Sequence, residues 1–183
     1  MAYINATTAV NRVKLVLVKY DASAHATLTS SDFYSAVDSA SGALTLVAGA
    51  IELAGLQDVT INNANGSFRW QQLDQSGESV ITTVSTNSLS GNFVLDPTLF
   101  FGTTGATTTA VTAGIFGLSN SRTQVAFMIA PSGATTGATP DNYLIMGNGF
   151  VSSLAPTVSA SSPVWVSPVT IEVNGDYTLA AIA

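Results

Sequence analysis

Hydrophobic and polar positions along this chain alternate in short bursts and rarely hold a helical period. Val13 to Tyr20 is a long β-favouring run with Lys14 and Lys19 near its ends. So dense an apolar run predicts a strand buried on much of both faces, or equally an arm ordered by a neighbour. Ser30, Ser31 and Asp32, followed by Phe33, Tyr34, Ala36 and Val37, predict a capped single helical turn or a loop. Between Ala43 and Leu56, Leu44, Leu46, Ile51 and Leu53 alternate weakly around Gly49 and predict two short strands. Val59-Thr60-Ile61 alternates cleanly. Asn65-Gly66 then separates it from Phe68 to Trp70, and both residues tolerate positive φ, so a hairpin tip is expected there.

Beyond Trp70 a polar stretch, Gln71 to Glu78, predicts a long loop between paired strands. Two β-like runs follow, Val80 to Val84 and Leu89 to Leu95, ended by Asp96-Pro97. Thr107 to Leu118 is the best helix candidate, with Val111, Ile115 and Leu118 at helical spacing, although Gly114 and Gly117 weaken it. Gln124 to Ala130 predicts a strand closed by Pro131-Ser132-Gly133. Tyr143 to Met146 leads through Gly147-Asn148-Gly149, a bulge or bend, into Phe150 and Val151. Val164 to Val166 and Val169 to Val173 predict two more strands, and Asn174-Gly175 a second tight turn before Tyr177 and Leu179. Many short strands with one helix imply a mainly β fold: a β-sandwich or partial barrel, with the helix over one open end.

Composition changes what such a fold must do. Charged residues are 9% of the 183 and hydrophobic ones 46%, with a mean hydropathy of +0.38. An ordinary soluble domain carries about 25% charge, so a lone monomer is an uncomfortable reading. Ser, Thr, Gly and Asn interrupt every apolar run, which excludes a membrane-spanning helix. The first residues, with Arg12 and Lys14 around a short apolar run, do not read as a signal peptide, so the protein is expected to stay where it is made, with no membrane partner. Formal net charge is −6, and the basic residues are Arg12, Lys14, Lys19, Arg69 and Arg122. Too few cations are present to neutralise a run of phosphates, so nucleic acid would be repelled rather than gripped.

Catalytic chemistry finds little support. There is no cysteine, and His25 is the sole histidine, so neither a thiolate nor a His-based metal site or triad can be assembled. The Gly102 to Thr107 run lacks the lysine of a phosphate loop. Glu52, Asp58, Asp74, Glu78, Glu172 and Asp176 sit singly, as solvated surface or a charged wall rather than an acid/base pair. Trp70 and Trp165 could stack sugars, but core or interface is the plainer reading. No enzyme activity and no cofactor are expected.

From Ile51 to Asp176 the order of features resembles the tail tube (major tail) proteins of tailed bacteriophages. Ala54-Gly55-Leu56-Gln57-Asp58-Val59-Thr60-Ile61 is similar to that family's short strand before a long loop. Leu73-Asp74-Gln75-Ser76-Gly77-Glu78 resembles the loop that reaches the adjacent ring, and Ser88 to Asp96 the inner-sheet strand. Thr107 to Ser119 resembles the single helix, Val125 to Ile129 the strand after it, Gly149-Phe150-Val151 a later strand, and Val169 to Gly175 the close of the pattern.

The resemblance implies a structural protein of the virion tail, assembled in the host cytoplasm. Its sheets would join into a hexameric β-barrel ring, and rings would stack around a lumen holding DNA and the tape measure protein. Tail terminator and baseplate or tip proteins would be further partners, with a sheath in contractile tails. Six chains at −6 sum to about −36 per ring, a wall along which phosphates slide. Asp58, Glu172 and Asp176 are its lumen or rim candidates. Gln71, Gln72, Leu73, Asp74 and Glu78 are candidates for stacking rings, and Arg12, Lys14 and Lys19 for an arm between subunits. Residues 1–50 are expected as a strand or arm region of the same domain, with 51–183 as the core. A capsid decoration or other virion β-protein would share the low charge and absent catalysis, whereas a carbohydrate-binding module would be a monomer with Trp70 or Trp165 at an exposed groove.

Overall fold

The computed structural model describes residues 13–37, 44–53, 55–73, 76–102, 114–131, 143–159 and 162–181. The fold is mainly β. The strands are β1 (Lys14–Lys19), β2 (Tyr34–Val37), β3 (Leu44–Leu46), β4 (Ile51–Glu52), β5 (Leu56–Trp70), β6 (Ser79–Val94), β7 (Gln124–Ala130), β8 (Tyr143–Leu154), β9 (Thr157–Ser159), β10 (Ser162–Val173) and β11 (Thr178–Ala181). Among the described residues, two short helices, α1 (Pro97–Phe101) and α2 (Gly114–Asn120), lie between β6 and β7.

Nine strands form one antiparallel sheet in the order β4-β1-β7-β8-β10-β6-β5, with β11 added to β8 and β9 to β10. In a flat sheet β1 and β6 would stand roughly 19 Å apart, four strand spacings. Instead Leu15 and Leu17 of β1 share one buried cluster with Leu89 and Phe93 of β6, Phe127 of β7 and Ile171 of β10. The sheet therefore curls over its own inner face, as a partial barrel does. Phe100 of α1 and Ile115 of α2 complete this cluster.

A second core lies on the other face of β1 and β7. Val16, Val18, Ala126 and Met128 pack there against Leu28, Phe33 and Tyr34, with Leu44 and Leu46 of the β2–β3 hairpin alongside. This explains why β1 is apolar without alternation: Leu15 and Leu17 face one core, Val16 and Val18 the other. Of the two readings of this run, the strand is observed. β1 pairs along its length with β7, Leu17 opposite Phe127, so Lys14–Lys19 belong to the main sheet.

Several local expectations are corrected. Asn65-Gly66 is not a hairpin tip: β5 runs through it, with Asn65 opposite Ser85 and a register shift before Ser67 pairs Thr82. A Cβ on Gly66 would sit 2.2 Å from Thr83 Oγ1, so this glycine permits a bulged close approach. The turn lies instead in the polar stretch after Trp70. Val80 to Val84 and the run from Leu89 as far as Val94 belong to one 16-residue strand, and the two runs around Pro168 to one 12-residue strand. Pro168 is tolerated because β10 exchanges partners there, from β9 (Val166 opposite Thr157) to β8 (Val169 opposite Leu154).

Asn174-Gly175 makes a bend, with Gly175 at φ +93°, but it closes no hairpin, because β11 pairs β8. The Gly147-Asn148-Gly149 segment stays in strand; the β8 irregularity falls at Ser152. Ser30–Asp32 forms the expected capped turn as a 3-10 turn, Asp32 accepting from the Thr29 amide at 2.7 Å, and Tyr34–Val37 continue as strand. The helix expected over 107–118 is observed from Gly114 to Asn120; its first seven positions lie outside the described residues.

Candidate assembly surfaces

Three surfaces stand out, and β6 connects them. Toward its start, β5 and β6 leave the body of the sheet as a two-stranded ribbon, with Phe68 opposite Ile81 and Trp70 opposite Ser79. Phe68 and Trp70 stack at 6.0 Å between centroids and 24° between planes. Phe68 is 58% exposed and Val84 86%, and Leu73 in the connecting loop is fully exposed. A ribbon of β-branched and aromatic residues without a covering layer is a surface that ordinary monomers avoid. Arg69 and Glu78 form an exposed ion pair at 3.3 Å across its end.

The second surface is the outer face of β5, β6 and β10. Cross-strand rows run Asp58–Asn92–Pro168, Thr60–Ser90–Thr170 and Asn62–Ser88–Glu172. The intervening rows, Val59–Gly91–Val169 and Ile61–Leu89–Ile171, face the core. The outer rows are thus hydroxyls and amides with two carboxylates and no Lys or Arg. Asp58 is fixed by a two-pronged clasp: its Oδ1 accepts from the Asn92 amide at 3.0 Å and its Oδ2 from Asn92 Nδ2 at 2.8 Å. A register shift between Leu56 and Asp58 brings it there.

Asp58 and Glu172 therefore share a face. Asp176 does not join them: its Oδ1 accepts from Ser85 Oγ at 3.3 Å, and Ser85 is in phase with the core-facing Asn87 and Leu89. Around it, Asn87 Nδ2 donates to the Gly175 carbonyl at 2.9 Å. Asn87 Oδ1 is buried without a hydrogen-bond partner. Of the stacking candidates, Gln71, Gln72, Leu73 and Glu78 lie in the loop joining β5 to β6, and Asp74 lies outside the described residues. Of the arm candidates, Lys14 pairs with Glu52 of the adjacent β4, Lys19 ends β1 exposed, and Arg12 lies outside the described residues.

The third surface lies beyond the far end of β6. Leu95, Pro97, Phe100, Phe101, Val164 and Trp165 line an apolar pocket of about 330 Å³. Asp96 builds it: its carboxylate caps α1 by accepting from Thr98 N at 2.7 Å and Leu99 N at 3.3 Å, with Pro97 in the first turn. Phe100, Phe101 and Phe116 cluster beneath, the first two edge-on at 4.8 Å. Asp96-Pro97 carries both an N-cap and a first-turn proline, a helix-start signal overlooked when it is read as a strand terminator. Trp165 is 46% exposed at the pocket and Trp70 half-buried on the ribbon, so neither tryptophan is a core residue.

His25 holds a loop: its Nδ1 accepts from the Asp21 amide at 2.9 Å, and its ring lies against Tyr20. Backbone amides of Ser23 and Ala24 donate to Asp21 and hold its carboxyl below the usual range. Among the described residues no three His, Cys, Asp or Glu gather as a metal site, and no helix is long and apolar enough to cross a membrane.

No protein-family model matches the chain, and no curated protein matches it. Solved structures do. The SPP1 tail tube aligns with a TM-score of 0.54 at 11% identity, over 93% of this chain and 77% of that one. A chain from the tail of an empty gene transfer agent particle, refined with C6 symmetry, aligns at 0.51 and 14% identity, over 85% of this chain and 100% of that one. A chain of the PVC sheath–tube complex, an extracellular contractile injection system in its extended state, aligns at 0.52 and 13% identity, over 99% and 100%. At such identities the likeness is one of fold: this chain has the fold found in chains of phage and phage-like tails and of a contractile injection system.

Proposed function

We propose that this protein is the structural subunit of a phage or phage-like tail tube, assembling into hexameric rings that stack around a lumen. The observation that carries the reading is the fold shared, over most of the chain, with components of such tails. Two physical features support it. β5 ends the sheet with its outer edge unpaired among the described residues, and β4 covers β1 at only Val16 and Leu17. Edges left open in this way favour pairing with a neighbouring copy, and a ring closes every edge at once.

The lumen wall in this proposal is the outer face of β5, β6 and β10. Its rows of Ser, Thr and Asn carry Asp58 and Glu172 as their charges, which would repel phosphate while leaving water-exchangeable groups to lubricate passage. Asp176 then belongs to the rim. DNA and an extended tape measure protein would occupy the lumen, and terminator and baseplate proteins would close the tube's ends. Such a protein needs no catalytic group.

Electron microscopy of the purified protein tests the assembly. Six-fold rings or tubes with a central hole are expected. Trimers or flat patches would instead favour a capsid decoration protein, and a persistent monomer would end the tube reading.

A further inference from the structure

The chain carries three Asn-Gly steps, Asn65-Gly66, Asn148-Gly149 and Asn174-Gly175, and the fold treats them differently. In such a step the backbone nitrogen of the glycine can attack the side-chain amide carbon of the asparagine, because no Cβ crowds that nitrogen. Closing the five-membered ring also requires the peptide unit between the two residues to turn out of its extended setting. A paired strand resists that turn, since its ladder bonds must first open. Asn65 lies within β5 opposite Ser85. Asn148 lies within β8 opposite Ala126, its neighbour Gly149 is paired with both Val125 and Val173, and its Oδ1 accepts from Gln124 Nε2 at 2.8 Å.

Asn174-Gly175 is built otherwise. Both residues are exposed in the bend after β10, Gly175 has φ +93°, and a Cβ there would meet nothing within 4 Å. The flanking groups are anchored: Asn174 N donates to the Asn148 carbonyl at 2.7 Å, and the Gly175 carbonyl accepts from Asn87 Nδ2 at 2.9 Å. The peptide unit between these anchors has no backbone partner of its own among the described residues. It can therefore turn while the fold around it stays intact.

We infer that Asn174 is a site of spontaneous deamidation in the folded protein. The Gly175 nitrogen bonds to Asn174 Cγ, the Cγ–Nδ2 bond breaks, and ammonia leaves with the proton that the Gly175 nitrogen gives up. Water then opens the succinimide. Addition at Cγ gives aspartate, and addition at the backbone carbonyl carbon gives isoaspartate, whose main chain is one methylene longer. Either product is a carboxylate two residues from Asp176, and each event takes the chain's formal net charge one unit below −6. The change is one-way, so the charge of this corner records the age of the molecule.

Purified protein incubated in mildly alkaline buffer, folded and in parallel in urea, tests the inference. Tandem mass spectrometry of proteolytic peptides assigns the gain of about one dalton to each site. In the folded protein, modification is expected roughly tenfold faster at Asn174 than at Asn65 or Asn148, the suppression that about 1.4 kcal/mol of local opening imposes on the paired sites. In urea the three rates should fall within about threefold of one another. Asn174→Gln, which would need a six-membered ring, should show no new acidic species on ion exchange over the same period. Comparable folded-state rates at the three sites, or no gain at Asn174, overturn the inference. Because the reaction needs only the folded chain, this test and that of the tube reading succeed or fail separately.

Discussion

The ring of Tyr177 stands edge-on to that of Phe127, with centroids 6.2 Å apart and planes at 73°. This joins the segment after β10 to the inner core. The phenol shares its one proton between the carbonyls of Asn62, at 3.0 Å, and Ser88, at 2.8 Å, tying β5 and β6 to that core where the ribbon departs. Burial raises the phenol above its ordinary value of 10. Because the folded state keeps its proton where the unfolded chain has lost it, stability is full below pH 10 and declines as pH rises past that point. Tyr177→Phe is expected to cost about 1 kcal/mol and to flatten this alkaline decline. Urea unfolding at neutral and alkaline pH, for both proteins, checks the pair of effects.

Gly149 is confined by its neighbour strand. A Cβ there would stand 2.1 Å from the Glu172 carbonyl oxygen and 3.1 Å from Val173 Cα, both of which are backbone. Gly149→Ala is therefore expected to destabilise by about 1–3 kcal/mol or more, since backbone cannot rotate away as a side chain can. Gly77, where nothing lies within 4 Å, is the control: its Ala variant should unfold at the unchanged midpoint.

Phe33 is fully buried in the second core. Truncation to Ala is expected to cost about 3–5 kcal/mol, a loss that a dispensable arm would not show. Denaturant unfolding of the dispersed protein measures it; an unchanged midpoint would separate residues before β4 from the domain.

Glu172 offers a test of the proposed wall. It is exposed on a strand whose opposite face supplies the core, so Glu172→Lys should leave the unfolding midpoint within about 0.5 kcal/mol of the parent. In assembled tails the same change would place six cations around the lumen. DNA ejection should slow, most at low salt where phosphate attraction is least screened. Unchanged ejection kinetics across salt would remove this face from the lumen.

Much of the architecture was legible in the residue pattern because strand burial imposes local rules. The dense apolar run from Val13 to Tyr20 marked either a strand buried on both faces or an arm, of which the strand Lys14–Lys19 is observed, and Gln124–Ala130 appeared with its boundaries intact. The polar stretch after Trp70 marked the β5–β6 turn. Low charge and open alternation foretold exposed apolar surface, now visible at Phe68, Val84 and Trp165.

What the chain could not declare locally was partnership. Asn65-Gly66 and Asn174-Gly175 have the composition of tight turns, yet one is a bulge within a long ribbon and the other passes the chain to β8. Which strand receives an edge depends on residues far away in sequence. For the same reason Asp58, Glu172 and Asp176 looked equivalent as isolated carboxylates. Cross-strand register put the first two on one polar face and the third against Ser85 on the other. Side-chain period is a local property of extended backbone, whereas register and curl are settled when distant strands bury a common core.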